Sequence, residues 1–205
     1  MKKLLLLVLS SSLLLVSCRS YQAARLAGLG YEQLQSRNFA SAGASFAEAS
    51  DKDSNNHTYR YNHLLSLFLQ GDYDQVISLS ENAFETFSFN LSFLLLKAQA
   101  HAQKEEYPKA LETYNRIFAL DRASYETQAD VMEAALTWNE TESAKHLALG
   151  LLQEKAYEKR ALTVLSRLSG DNSWYALALS FLTKEGKAED RKQLQVLSKS
   201  VDAPF

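Results

Sequence analysis

Ala42, Val76, Ala110 and Ala144 are equally spaced along the chain, and four further sets of positions keep the same step. Three residues before them lie Phe39, Tyr73, Tyr107 and Thr141, and four after them Phe46, Ser80, Tyr114 and Ala148. Seven after are Ala49, Ala83, Ile117 and Leu151, and twelve before are Gly30, Leu64, Ala98 and Met132. Segments 23–56, 57–90, 91–124 and 125–158 therefore align without an insertion. A step of this length marks one supersecondary unit per repeat, which buries its apolar face only by stacking on its neighbours. Within a unit the offsets of four and seven are helical. Composition agrees. Gly and Pro together number nine of 205, too few for the frequent turns of a sheet protein, while Leu (35) and Ala (26) dominate and Ile occurs twice. The expected fold class is all-α.

The period and pattern resemble the tetratricopeptide repeat, a 34-residue helix-turn-helix unit. Leu29-Gly30 and Ala42-x-x-x-Phe46 carry the resemblance most closely, and Gly71-Asp72-Tyr73 is similar to the family's turn into its second helix. Asp72 and Gln75 are placed for a capping box there. Ser80 and Ala148 stand where an aromatic is usual, and the family's late proline is replaced by Ser54, Ser88 and Arg122. The resemblance implies four repeats over 23–158 in a right-handed superhelical solenoid. Residues 159–205 are expected to form a degenerate last repeat or capping helices. Ala161, Leu162, Leu165 and Leu168 suit a helix ending at Gly170, and Trp174, Leu177, Ala178 and Phe181 a further one. A turn at Glu185-Gly186-Lys187 and a last helix to about Ser198 complete a polar cap.

In that family the first helices line a concave groove for peptides or partner helices. Carried onto this chain, the pattern makes Tyr31, Leu34, Tyr61, Asn62, Leu65, Phe68, Leu69 and Gln99 the candidate groove. Leu95, Gln103, Glu126, Glu133 and Leu136 extend it. Leu65, Phe68 and Leu69 serve equally well as inter-repeat core. Tyr31 and Tyr61 suit a wet edge because of their hydroxyls. Asn62 matches one place of the family's carboxylate clamp, but Ala27, Tyr31, Ser92 and Leu96 replace its other members, so that function is not expected. Ala substitution of Tyr61 and Phe68 is expected to abolish binding. Phe84 to Phe89 alternates apolar and polar residues, as an extended connector with packed rings or an exposed contact segment would.

Residues 1–17 read as a signal peptide: Lys2 and Lys3, then a 13-residue apolar run from Leu4 to Val16, too short to span a bilayer comfortably. Leu15-Val16-Ser17-Cys18 resembles the bacterial lipobox, which implies cleavage before Cys18 and acylation of its thiol, palmitate included. Residues 18–22 would then form the lipidated tether. Arg19, where an Asp would favour the inner membrane, points to the outer membrane and a domain facing the periplasm. Cys18 is the single cysteine, so its modification leaves no thiol for disulfides, catalysis or metal binding.

Removing residues 1–17 leaves 20 basic against 24 acidic side chains, no electrostatic footprint for nucleic acid. P-loop, nucleophile-elbow and zinc-protease motifs are absent. His57, His63, His101 and His146 have no close helical spacing, and His63 and His101 read as partly buried, hydrogen-bonded side chains. Glu142-Ser143, a pair some peptidoglycan lyases use, reads here as a cap before a helix starting at Ala144. No catalytic residue, cofactor or metal is expected. The expected function is a non-catalytic interaction scaffold of the bacterial envelope whose partners are other envelope proteins. The alternative is an accessory of a transport system that holds a small apolar molecule in the groove.

Overall fold

The computed structural model describes residues 2–88 and 90–169. Among these residues there are nine helices and no strand: α1 (Lys2–Gln35), α2 (Phe39–Lys52), α3 (His57–Gln70), α4 (Tyr73–Thr86), α5 (Ser92–Gln103), α6 (Tyr107–Leu120), α7 (Tyr125–Thr137), α8 (Thr141–Leu151) and α9 (Glu158–Ser169). The chain divides into two compact units, Met1–Thr113 and Tyr114–Phe205, and the division falls inside α6. In the first unit each helix from α1 to α5 packs on the next, and α3 also touches α5. In the second, α7, α8 and α9 pack on one another. Consecutive neighbour packing of this kind is compatible with a helical repeat solenoid.

Helices α2, α4, α6 and α8 begin at Phe39, Tyr73, Tyr107 and Thr141, each one full period after the last. The recurring small residues are their contact points: Ala42, Val76, Ala110 and Ala144 are all fully buried. Phe46, Ser80, Tyr114 and Ala148, one turn further on, are buried too, and so are Ala49, Ala83, Ile117 and Leu151. Two apolar clusters fill the first unit. Ala27, Ala42, Phe46 and Ala49 form one, with Leu26, Leu34 and Tyr59 against it. Leu64, Leu67, Val76, Ala83, Phe93, Leu96 and Ala100 form the other.

The turn between the two helices of each pair recurs with the same period. Arg37, Gly71, Glu105 and Asn139 have φ of 57°, 88°, 60° and 61°, all left-handed. After each, a backbone N–H reaches back over the turn: Asn38 to Gln33 O, Asp72 to Leu67 O, Glu106 to His101 O and Glu140 to Ala135 O, at 2.8–2.9 Å. This is the Schellman closure, which satisfies carbonyls that a helix end leaves orphaned. The residue donating that bond then caps the next helix in two cases. Asn38 Oδ1 accepts from Ser41 N and Asp72 Oδ1 from Gln75 N, both at 3.3 Å. The Gln75 amide also bonds the Asp72 carboxylate, side chain to side chain. Only Gly71 adopts the left-handed turn without a Cβ penalty, and Asn tolerates it better than Arg or Glu. Glu105→Gly and Arg37→Gly are therefore expected to stabilise the chain by about 0.5–1 kcal/mol each, and Asn139→Gly by less. Urea midpoints of the single variants check this.

Two sequence expectations change. Phe84 to Phe87 is not an extended connector: α4 continues to Thr86, and Phe84 and Phe87 pack on the second cluster. Phe87 stacks on Phe93 with centroids 5.8 Å apart, so the packed-ring part of the expectation stands. Helix α8 starts at Thr141 rather than Ala144, which puts Glu142 and Ser143 inside its first turn. The Glu142 carboxylate then works on the helix dipole rather than as a cap. Residues 18–22 are helical, part of α1. Among the described residues no helix is long and apolar enough to cross a membrane. Helix α9 buries Ala161, Leu162 and Leu165 as expected; Phe89 and the expectations for residues 170–205 lie outside the described residues.

Candidate functional site

The candidate groove residues all belong to the first unit and come from successive first helices: Tyr31 and Leu34 on α1, Tyr61 to Leu69 on α3, and Gln99 on α5. Burial separates them into two groups. Leu34 lies half-buried against the Phe46 cluster. Tyr61, Leu65 and Phe68 lie half-buried against the Leu64–Phe93 cluster. Tyr61 meets the edge of Phe93 at 6.3 Å, and Phe68 that of Tyr73 at 5.4 Å. Tyr61 and Phe68 thus support the fold, and their replacement by Ala tests stability as much as binding.

Tyr31 and Leu69 form the second group, with 42% and 45% of their surface exposed. The Tyr31 ring is nonetheless fixed. It stands edge-on to Phe46 at 5.1 Å, and its hydroxyl accepts a 2.9 Å hydrogen bond from Asn62 Nδ2. Asn62 is itself buried. A rigid aromatic that keeps a free face and a polar tip binds with little further loss of conformational entropy. Gln99 is half-buried on α5.

Sequence reasoning missed the ionic contacts. Glu106, at the head of α6, sends its carboxylate back to α5. His101 Nδ1 lies 2.7 Å from Oε2, Lys109 Nζ 3.4 Å from the same oxygen, and Lys104 Nζ 3.5 Å from Oε1. Lys104 also meets Asp74 on α4 at 2.5 Å, and Lys97 on α5 meets Glu81 on α4 at 2.5 Å. The hydrogen bond from His101, helped by the two lysines, lowers the Glu106 pKa to about 2. His101 is thus buried and hydrogen-bonded as expected, but His63 Nδ1 is buried without a partner. Burial, and next the nearby Arg60 charge, push the His63 pKa below 6.5, with Asp51 opposing.

Both shifts have the same consequence. A folded pKa below the unfolded one gives stability that is present at high pH and lost on acidification. His63 is expected to begin this loss as pH falls through its unfolded value near 6.5, and Glu106 to extend it between about 4.5 and about 2. Replacing His63 by Gln should remove the upper limb of a stability–pH curve and Glu106→Gln the lower one. A curve unchanged by Glu106→Gln would mean that the carboxylate is not held as described.

In the second unit Arg160 on α9 gathers three carboxylates of α7. Its Nε lies 2.7 Å from Glu133, Nη2 2.7 Å from Asp130 and Nη1 3.1 Å from Glu126. Glu126 and Glu133, expected on the groove wall, are tied down by these contacts. The carboxylates hold the guanidinium pKa above its ordinary value. The signal was in the register: Arg160 stands one full period after Glu126. Tyr125 and Tyr157 keep the same neighbourhood, their rings 6.1 Å apart. Among the described residues no group of three or more His, Cys, Asp or Glu side chains is arranged to hold a metal ion.

No protein-family model matches the chain, and comparison with curated proteins finds no match.

Proposed function

We propose that this protein is a non-catalytic scaffold of the bacterial envelope, a tetratricopeptide-like lipoprotein acylated at Cys18. Its repeats form a right-handed solenoid closed by capping helices within 159–205, with the domain facing the periplasm from the outer membrane. Its partners are other envelope proteins that lay a peptide or helix on the face bearing Tyr31 and Leu69. One observation carries the reading. The small buried residues, the starts of the second helices and the left-handed turns all keep a single register. Stacked units of that kind present extended surfaces suited to partner binding rather than enclosed reaction chambers. The lipobox-like Leu15-Val16-Ser17-Cys18 supports the anchor.

Site-specific photo-cross-linking in native membranes tests the proposal. A photoreactive residue at Leu69 is expected to give a stoichiometric protein adduct, and one at the exposed Glu112 none. Equal labelling at the two positions, or substrate turnover by the purified protein alone, would overturn it.

A further inference from the structure

Positions 18, 21, 25 and 29 follow one another at steps of three and four, so they share one stripe of α1. The opposite stripe faces the protein: Ala23 and Ala27 are buried, and Leu26 and Leu34 pack on the Phe46 cluster. The outward stripe carries large apolar side chains. Tyr21 is 72% exposed and Leu29 44% exposed. Arg25, on this stripe, and Arg19, beside it, are exposed too. From Arg19 to Tyr31 the sequence has these two arginines and no acidic residue.

The segment has no slack. Residues 18–22 are helical, Arg19 Nη2 donates to Asp51 O of α2 at 3.3 Å, and Ala23 is fully buried. At 1.5 Å of rise per residue, Tyr21 lies about 4.5 Å and Ala23 about 7.5 Å along the axis from position 18. The polar headgroup layer on each side of the hydrocarbon core is about 5–7 Å deep. An acyl group on Cys18 fixes that residue at the base of this layer, so Tyr21 falls within it, while the Arg25 backbone lies about 10.5 Å along the axis, beyond the layer, and only its long side chain, tilted back towards the helix N-terminus, reaches it. A tyrosine is at home there, with its ring among the acyl boundary and its hydroxyl in water, and arginines are drawn to anionic lipid within a Debye length.

From this juxtaposition we propose that Arg19, Tyr21 and Arg25 dock in the anionic headgroup layer of the bilayer that carries Cys18. The first repeat is thereby seated on the membrane surface rather than held away from it on a flexible tether. The inference rests on the acylation of Cys18 proposed above. It fixes what that reading leaves open: which end of the protein is occluded, and that the C-terminal end of α2 and the turn after it lie close to the lipid.

The full-length acylated protein supplies the test, because acylation of Cys18 leaves no thiol and an introduced cysteine is then the only one. Ser20→Cys and, as a reference on α6, Glu112→Cys are each labelled with a fluorophore. The proteins are reconstituted in vesicles of phosphatidylethanolamine and phosphatidylglycerol and quenched with aqueous iodide. Quenching at position 20 is expected to be several-fold weaker than at 112. It should rise towards the reference when Tyr21→Ser and Arg25→Glu are added, and also in vesicles of phosphatidylcholine alone. Equal quenching at 20 and 112 in vesicle-retained protein overturns the seating, and so does protection that survives the Tyr21 and Arg25 changes. The anchor is read separately, from the parent protein without an added cysteine. Uptake of a maleimide there shows a free Cys18 and removes the anchor reading and the seating together.

Discussion

Phe46→Ala is expected to cost the first unit about 3–5 kcal/mol, the range for truncating a fully buried aromatic. Gly30→Ala should cost about 1–3 kcal/mol from the other side of the same contact, as overpacking does. The reason is geometric. A Cβ at Gly30 would stand 2.9 Å from Phe46 Cε2 and Cζ, and the ring has nowhere to go, being fully buried and met edge-on by Tyr31. Away from that ring the same change would help, because glycine inside a helix is about 0.5–1 kcal/mol worse than alanine. In a Phe46→Ala background the sign of Gly30→Ala should therefore reverse. Urea unfolding of the four proteins, followed by far-UV circular dichroism, closes the double-mutant cycle. If the two costs simply add, the ring does not determine the glycine.

The Gly30–Phe46 pair explains why the repeat looked degenerate in places. In each repeat the position carrying Gly30 and the one carrying Phe46 are filled by one small and one large residue. They are Gly30 with Phe46, Leu64 with Ser80, Ala98 with Tyr114 and Met132 with Ala148. All eight are buried. At Ser80 and Ala148 the larger residue of the pair stands on the other helix instead, as a close-packed interior that conserves summed volume allows. Ser80 carries a residual penalty, since its buried hydroxyl finds no partner. Read singly, Ser80 and Ala148 depart from the repeat pattern that the sequence resembles. Read as pairs, they were legible in the sequence.

Other features left weaker traces. The turn glycine at Gly71 announced a left-handed residue, and Asn139 did so more weakly, but Arg37 and Glu105 adopt the same conformation with side chains that give no such signal. Only their place in the repeat relates them to Gly71. The alternation from Phe84 to Phe87 suggested an extended chain because period two and the end of an amphipathic helix look alike over four residues. The α4 register prevailed, since Val76, Ser80 and Ala83 had already committed that helix to one buried face. The ion pairs of Glu106 and Arg160 depend on how long side chains reach between helices, which residue spacing along one helix does not encode.

The division of the candidate groove yields the second large effect. Tyr31→Ser with Leu69→Ser is expected to abolish capture of the proposed protein partner while leaving the chain folded. Both side chains are nearly half exposed, so their removal leaves little cavity. The structural losses are the hydrogen bond from the buried Asn62, about 1–3 kcal/mol once its amide is left unpaired, and the edge contact with Phe46, about 0.5–1.5 kcal/mol. A rigid exposed tyrosine at the centre of an interface commonly contributes about 2 kcal/mol or more, which is about a thirtyfold loss of affinity for that residue alone. Tyr61→Ala with Phe68→Ala should behave in the opposite order. Those rings pack on Phe93 and Tyr73, so a cost of several kcal/mol of stability precedes any effect on binding. Thermal melts run beside cross-linking yields on both double variants separate the two outcomes. Undiminished adduct from the Tyr31 and Leu69 variant, in protein that remains folded, would remove this face from the binding surface. It would leave the Phe46 and Phe93 clusters as a scaffold whose contact surface lies elsewhere.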